Sequence, residues 1–282
     1  MSSFNPNSTV IVAGGFDNIR AADVRFLDIA SHKGKLHVWL FSDQYLQAQN
    51  GSNPKFPESE RLYFLESLRF VNNVEVIKDL EQSTLYTSLT AINKDNSSLI
   101  KWVENEQNQE GQISTFCRMN NLDHEVIPED VIKNLPASSI EIENSMAKKV
   151  LVTGSFDWMH SGHIRFFEEA SAFGDLYVVV GHDANIKLLK GEGHPLFNQD
   201  ERRYLVQCVR FVKEALISSG NGWLDAEPEI RLIKPDYYVV NEDGDKPEKE
   251  NYCKVNQIEY KVLKRLPKPG LPRRESTALR GF

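Results

Sequence analysis

Hydrophobic and polar residues fall in blocks along this chain. Two short β-branched runs, Val10–Ala13 and Val150–Thr153, each end on glycine, which predicts a buried strand entering a tight turn. Beyond the second turn, Ile164 to Ser171 carries apolar residues at helical spacing, and Leu176–Val180 is a further buried strand. The first half repeats the pattern, with Val38–Phe41 as its second strand. Strand, glycine turn, helix and strand in this order make a βαβ unit, so each half is expected to be a parallel sheet covered by helices.

The two halves match residue by residue. Gly14, Phe16, Asp17, Arg25, Gly34 and Asp43 fall on Gly154, Phe156, Asp157, Arg165, Gly174 and Asp183, each pair 140 positions apart. A second block, 56–71 against 197–212, matches at an offset of 141, and its helix is expected to be capped by Asn198 or Asp200. Leu205, Val206 and Val209 would form its apolar face. Each half closes on Ser-Thr-x-x-Arg: Ser114 to Arg118, and Ser276 to Arg280. A self-match of this length predicts a duplication, with a first domain and linker over 1–146 and a second domain over 147–282. The linker, 128–146, mixes proline, serine and acidic residues, with a short helix expected near Glu129–Asn134.

Composition adds bounds. The chain has 282 residues, 40% hydrophobic and 26% charged, as expected of globular domains. A net charge of −7 argues against a nucleic-acid-coating surface, and no apolar run is long enough to span a membrane. The N-terminus has no signal pattern, and three scattered cysteines fit free thiols in a cytoplasmic protein. The stretch from Lys254 to Arg280 is locally basic, suiting either a solvated face or a polyphosphate.

The halves differ where chemistry would sit. His160-Ser161-Gly162-His163 stands at the strand-to-helix turn of the second half, and Arg20-Ala21-Ala22-Asp23 stands in the first. Unpaired amides at a helix start favour phosphate oxygens, and two imidazoles there could donate hydrogen bonds to a phosphate gaining charge. Gly162 would let a ligand approach between them. A zinc site would need further ligands at recognisable spacing, and none is evident.

These residues resemble the nucleotidylyltransferase superfamily, in particular its cytidylyltransferase branch. The resemblance rests on Gly154-x-Phe156-Asp157-x-x-His160-x-Gly162-His163, on Lys190-Gly191, and on Asn198-x-x-Glu201-Arg202. It continues through Trp223, the Asn241-Glu242-Asp243 segment and Glu275-Ser276-Thr277 with Arg273 or Arg274 ahead of it. The tandem arrangement further resembles ethanolamine-phosphate cytidylyltransferase. The chain departs from the branch in its proline-rich 267–272, in lacking a glycine before Ser276, and in Trp158.

The resemblance implies an α/β enzyme with two tandem Rossmann-like, doubly wound domains. It further implies attack by an acceptor phosphate on the α-phosphorus of a nucleoside triphosphate, with release of pyrophosphate. His160, His163 and Lys190 would be catalytic. Gly154, Ser155, Phe156, Asp157, Gly162, Arg202, Glu242, Asp243, Arg273, Arg274, Ser276 and Thr277 would bind the nucleotide, with Mg²⁺ sharing the charge. Asp183, retained in the first half, reads as a fold residue. CTP and ethanolamine phosphate or a glycerol or polyol phosphate are the leading substrates. ATP-dependent adenylyl transfer to a sugar phosphate or cofactor precursor is the enzymatic alternative, and a non-catalytic nucleotide-binding assembly protein the other. Having lost both histidines and carrying Asn50 opposite Lys190, the first half is expected to be inactive and to form an intra-chain pseudo-dimer, with a homodimer also open.

Overall fold

A computed structural model describes residues 8–92, 99–108, 111–138, 142 and 146–279. The chain divides into two compact units, Met1–Leu135 and Pro136–Phe282. Residues 136–146, which the sequence groups with the first domain's linker, fall in the second unit.

In the first unit, strands β1 (Ser8–Gly14), β2 (Lys35–Phe41), β3 (Val71–Ile77), β4 (Leu99–Asn105) and β5 (Asp123–Ile127) alternate with helices α1 (Ala21–Ser31), α2 (Asp43–Asn50), α3 (Glu58–Glu66), α4 (Gln82–Ile92), α5 (Gly111–Met119) and α6 (Glu129–Lys133). The sheet is parallel, in the order β3-β2-β1-β4-β5.

The second unit repeats it with β6 (Lys149–Gly154), α7 (Ser161–Ser171), β7 (Asp175–Val180), α8 (Asp183–Lys190), α9 (Gln199–Gln207), β8 (Glu214–Ile217), α10 (Glu227–Ile233), β9 (Tyr237–Asn241), α11 (Pro247–Val255), β10 (Glu259–Leu263) and α12 (Ser276–Leu279). Its parallel order, β10-β9-β6-β7-β8, is the same topology read from the other edge. Both are doubly wound α/β sheets. In such sheets the chain reverses direction of winding beside the first strand, and ligands settle at the carboxyl ends there.

The central strands are apolar because helices cover both faces. Val150, Leu151 and Val152 are wholly buried, as are Val10, Ile11 and Val12. In the first unit Trp39 and Trp102 meet edge to face, with ring centroids 5.1 Å apart.

Two sequence expectations shift. The helix expected from Ile164 starts at Ser161, because His160 takes the cap position. The helix expected to run to Val212 ends at Gln207. Tight backbone bonds from Val209 to Val206 and from Val212 to Val209 turn the chain, and Gln207 Oε1 accepts from Ala215 N at 2.7 Å to start β8. Asn198, not Asp200, is the cap, in a reciprocal capping box with Glu201. Among the described residues, no helix is long and apolar enough to cross a membrane.

Candidate active site

The turn after β6 is built from local constraints. Phe156 holds a left-handed backbone, φ 47°, and folds its ring back over Gly154, where a Cβ would lie 2.8 Å from the ring. A side chain at 154 would collide with that ring. Asp157 is buried, and its Oδ1 accepts from Leu196 N at 2.7 Å and from Phe197 N at 3.1 Å. It therefore staples the loop that enters α9.

Arg202 is fully buried. It donates to the carbonyls of Phe197, Ser155 and Gly181 and to Asp183 Oδ1, at 2.6–2.9 Å. These two residues, expected on the nucleotide, instead have their polar groups engaged by the polypeptide. The same lattice recurs in the first unit. Asp17 accepts from Lys55 N and Phe56 N, and Arg61 donates to Phe56 O, Gly15 O, Phe41 O and Asp43 Oδ1. The expected fold role of Asp183 agrees with its pairing to Arg202 at 2.7 Å.

The histidines converge. His160 is buried at the start of α7, and its Nδ1 accepts from Gly162 N at 3.1 Å. With Nδ1 accepting, the ring is neutral and its proton sits on Nε2, which faces Ser276 Oγ at 3.2 Å. The His160 and His163 rings stack with centroids 4.0 Å apart, and Phe156 packs edge-on against His163 at 5.5 Å. Gly162 answers first to the protein, since a Cβ there would lie 2.9 Å from His160 Cε1.

Burial holds both imidazoles neutral. It drives the His160 pKa far below its ordinary value, helped by His163, Arg265 and Arg274. His163 is pushed down to about 3, by burial first and then by Arg265 and Lys190. His163 Nδ1 is buried and meets no partner among the described residues.

Lys190, the last residue of α8, reaches Ser155 Oγ at 2.8 Å. Gly191 follows it at φ 85°, just as Gly51 follows Asn50 at φ 71°, which places Asn50 opposite Lys190 in the fold. Asp243 pairs with Arg265 at 2.9 Å, and both Glu242 and Asp243 are exposed. Arg273 is exposed beside Glu275, and the Arg274 carbonyl accepts from Arg265. Ser276 joins the histidines, whereas the Thr277 side chain and Arg280 lie outside the described residues. Trp158 is buried, and Trp223 is half-exposed.

Sequence reasoning included Arg265 only in the basic stretch 254–280 and did not single it out; it sits two residues past β10, and its charge reaches both histidines. Its position at the carboxyl end of a strand next to β9 was the available signal. His182 and Asn185 were missed too. Asn185 exchanges hydrogen bonds with Gly222 at 2.8 and 3.0 Å, and His182 Nε2 lies 2.8 Å from Gly220 O, so together they fix the loop after β8. Among the described residues no group of three His, Cys, Asp or Glu side chains could hold a metal.

In the first unit the same helix start carries Asp23, whose carboxylate accepts from Arg20 N at 2.8 Å. An internal carboxylate thus takes the place where the second unit presents imidazole.

Paired neutral imidazoles, a lysine and an arginine thus gather around the helix at the switch point of a doubly wound sheet, where each could donate a hydrogen bond to a phosphate oxygen. The family model for cytidylyltransferase-like proteins matches residues 151–264. FAD synthase of Aciduliprofundum boonei is 35% identical over 125 residues, covering 43% of this chain and 80% of that protein. The bifunctional protein HldE of Geobacter sulfurreducens is 40% identical over 117 residues, covering 39% of this chain and only 24% of its own. A lipopolysaccharide core biosynthesis protein from Thermoplasma volcanium, a solved structure, is 25% identical over 46% of this chain and 99% of its own, with a TM-score of 0.35. The chain belongs to the nucleotidylyltransferase superfamily and is an enzyme of the nucleotidyltransferase class.

Proposed function

We propose that the second unit transfers the nucleotidyl group of a nucleoside triphosphate to the phosphate of a small acceptor. An acceptor phosphate oxygen bonds to the α-phosphorus as the bond from that phosphorus to the β-bridging oxygen breaks, and pyrophosphate leaves with the electron pair. Such a transfer calls for positioning and charge stabilisation and no covalent nucleophile. The observation that carries the reading is the stacked His160–His163 pair, kept neutral at the start of α7. Neutral imidazoles there act as N–H donors to phosphate oxygens and not as proton shuttles near pH 7. Lys190 would bridge acceptor and α-phosphate, while Arg265, Arg273, Arg274 and Ser276 would hold the nucleotide. A Mg²⁺ would arrive on the triphosphate, with Asp243 and Glu242 the nearest candidates to touch it; it would supply charge neutralisation.

We take ATP as the donor. The relative of which this chain spans 80% is named FAD synthase, and making FAD from a flavin mononucleotide requires an adenylyl group. CTP, placed first by the sequence, is the second reading, favoured by the cytidylyltransferase-like match. The acceptor is a phosphomonoester, with ethanolamine, polyol, sugar and flavin phosphates as the panel to try. We assign the first unit no catalysis.

Pyrophosphate release, measured for ATP, CTP, GTP and UTP against that panel, tests the reading. One donor–acceptor pair should turn over, and His163→Ala should cost roughly 10²–10³ in rate, the loss typical of a charge-stabilising donor. No release from any pair, or near-normal turnover in folded His163→Ala, would overturn it.

A further inference from the structure

Beside Gly162, a small recess opens between the first turns of α7 and the segment that follows β10. Phe166, Pro267 and Pro272 supply apolar wall, and Arg265, Arg273 and Arg274 line it with positive charge. Such walls suit a flat ring, and a triphosphate gripped at His160 and His163 would lead its nucleoside past Gly162 into this space.

Asn241 lines the same recess, at the carboxyl end of β9. Its Oδ1 is buried and meets no donor among the described residues. Nor does its side chain cap the helical turn that begins at Glu242, although Asn241 stands at the cap position. A buried acceptor left unsatisfied is costly, and native proteins rarely keep one without a use. What it lacks is an N–H.

Resting on the nucleotidyl-transfer reading above, we infer that Asn241 Oδ1 accepts a hydrogen bond from the exocyclic amino group of the nucleobase and so selects an amino-bearing base over its keto counterpart. Adenine and cytosine each carry that donor; hypoxanthine and uracil carry a carbonyl oxygen in its place. A carbonyl there would set two acceptors against each other. Sites built to bond a substrate N–H reject the analogue that lacks it far more strongly than apolar pockets reject a missing methylene.

The experiment compares ATP with ITP and CTP with UTP, in turnover by pyrophosphate release and in binding by calorimetry, for the full chain and for Asn241→Leu and Asn241→Asp. The preferred base should exceed its keto partner by about 10–100-fold in kcat/KM and in affinity. Asn241→Leu should bring the two within about threefold, whereas Asn241→Asp, which keeps an acceptor, should retain the preference. Keto and amino bases handled equally by the unsubstituted protein would overturn the inference, as would full discrimination in folded Asn241→Leu. If Asn241→Leu does not fold, loss of discrimination in Asn241→Asp overturns it instead. Absence of turnover with every triphosphate would count against nucleotidyl transfer alone, because the binding comparison would still judge Asn241.

Discussion

His163 is the residue in which site chemistry and stability meet most directly. An unfolded chain protonates a histidine below its ordinary pKa near 6.5, but the folded protein resists until about 3. Between those values the unfolded state binds more protons, so stability falls as pH drops through that window. His160 acts in the same direction. Removing the imidazole should therefore flatten the response. His163→Gln is expected to lose less of its thermal midpoint between pH 6.5 and 4 than the unsubstituted protein, measured by melting curves across that range; identical slopes would mean that His163 titrates freely. The same residue shows why this position could be singled out from sequence. Only the second half has histidine at these two positions, and the first half supplied the comparison. Arg202 and Asp157 misled for the converse reason. Their counterparts Arg61 and Asp17 survive in the half that lost the histidines, which marks them as residues of the fold.

At the scale of elements, the β6–α7 turn, α8 and the entry to α9 are joined through one guanidinium. Arg202 links Ser155, Gly181, Asp183 and Phe197, so the loop bearing Ser155 and the helix bearing Lys190 hold station together. Arg202→Ala would strand several buried carbonyls and one side of an ion pair. Asp183 is partly exposed, so the cost lies chiefly in the carbonyls left without a donor, about 1–3 kcal/mol each. The expected outcome in chemical denaturation is a loss of that order for the second unit, with activity lost in step. Arg61→Ala should weaken the first unit similarly and leave pyrophosphate release intact at temperatures where that unit remains folded. The strands that carry these turns were legible because β1 and β6 are continuous apolar runs. Strand β3 was not, since Val71-Asn72-Asn73-Val74-Glu75-Val76-Ile77 mixes polar residues into an edge position, and neither was the early end of α9, fixed by a contact of Gln207 with Ala215. Arg265 was one of several cations in the basic stretch 254–280, and the proline-rich segment that separates it from Ser276 kept it from being singled out.

Across the whole molecule, two units share one topology and one stapled turn, yet they differ at the helix start. The second presents His160 and His163 there; the first presents Arg20 and Asp23. Asp23 is half-buried, and desolvation raises its pKa. Even so, its carboxylate satisfies the Arg20 amide and lies where a phosphate would have to approach. We expect one nucleotide per chain by calorimetric titration, bound in the second unit. Two sites of similar affinity would instead make the first unit a nucleotide-binding partner.

The bond from Arg20 N to Asp23 has a consequence for how the protein responds to its surroundings. A carboxylate tethered three residues from its target competes at an effective concentration that a freely diffusing anion does not reach, because closing so short a loop forfeits little freedom. A nucleotide pool that rises and falls in the millimolar range would meet this helix start already answered from within. The second unit would then sense substrate supply through its own occupancy, while the first stayed indifferent to it.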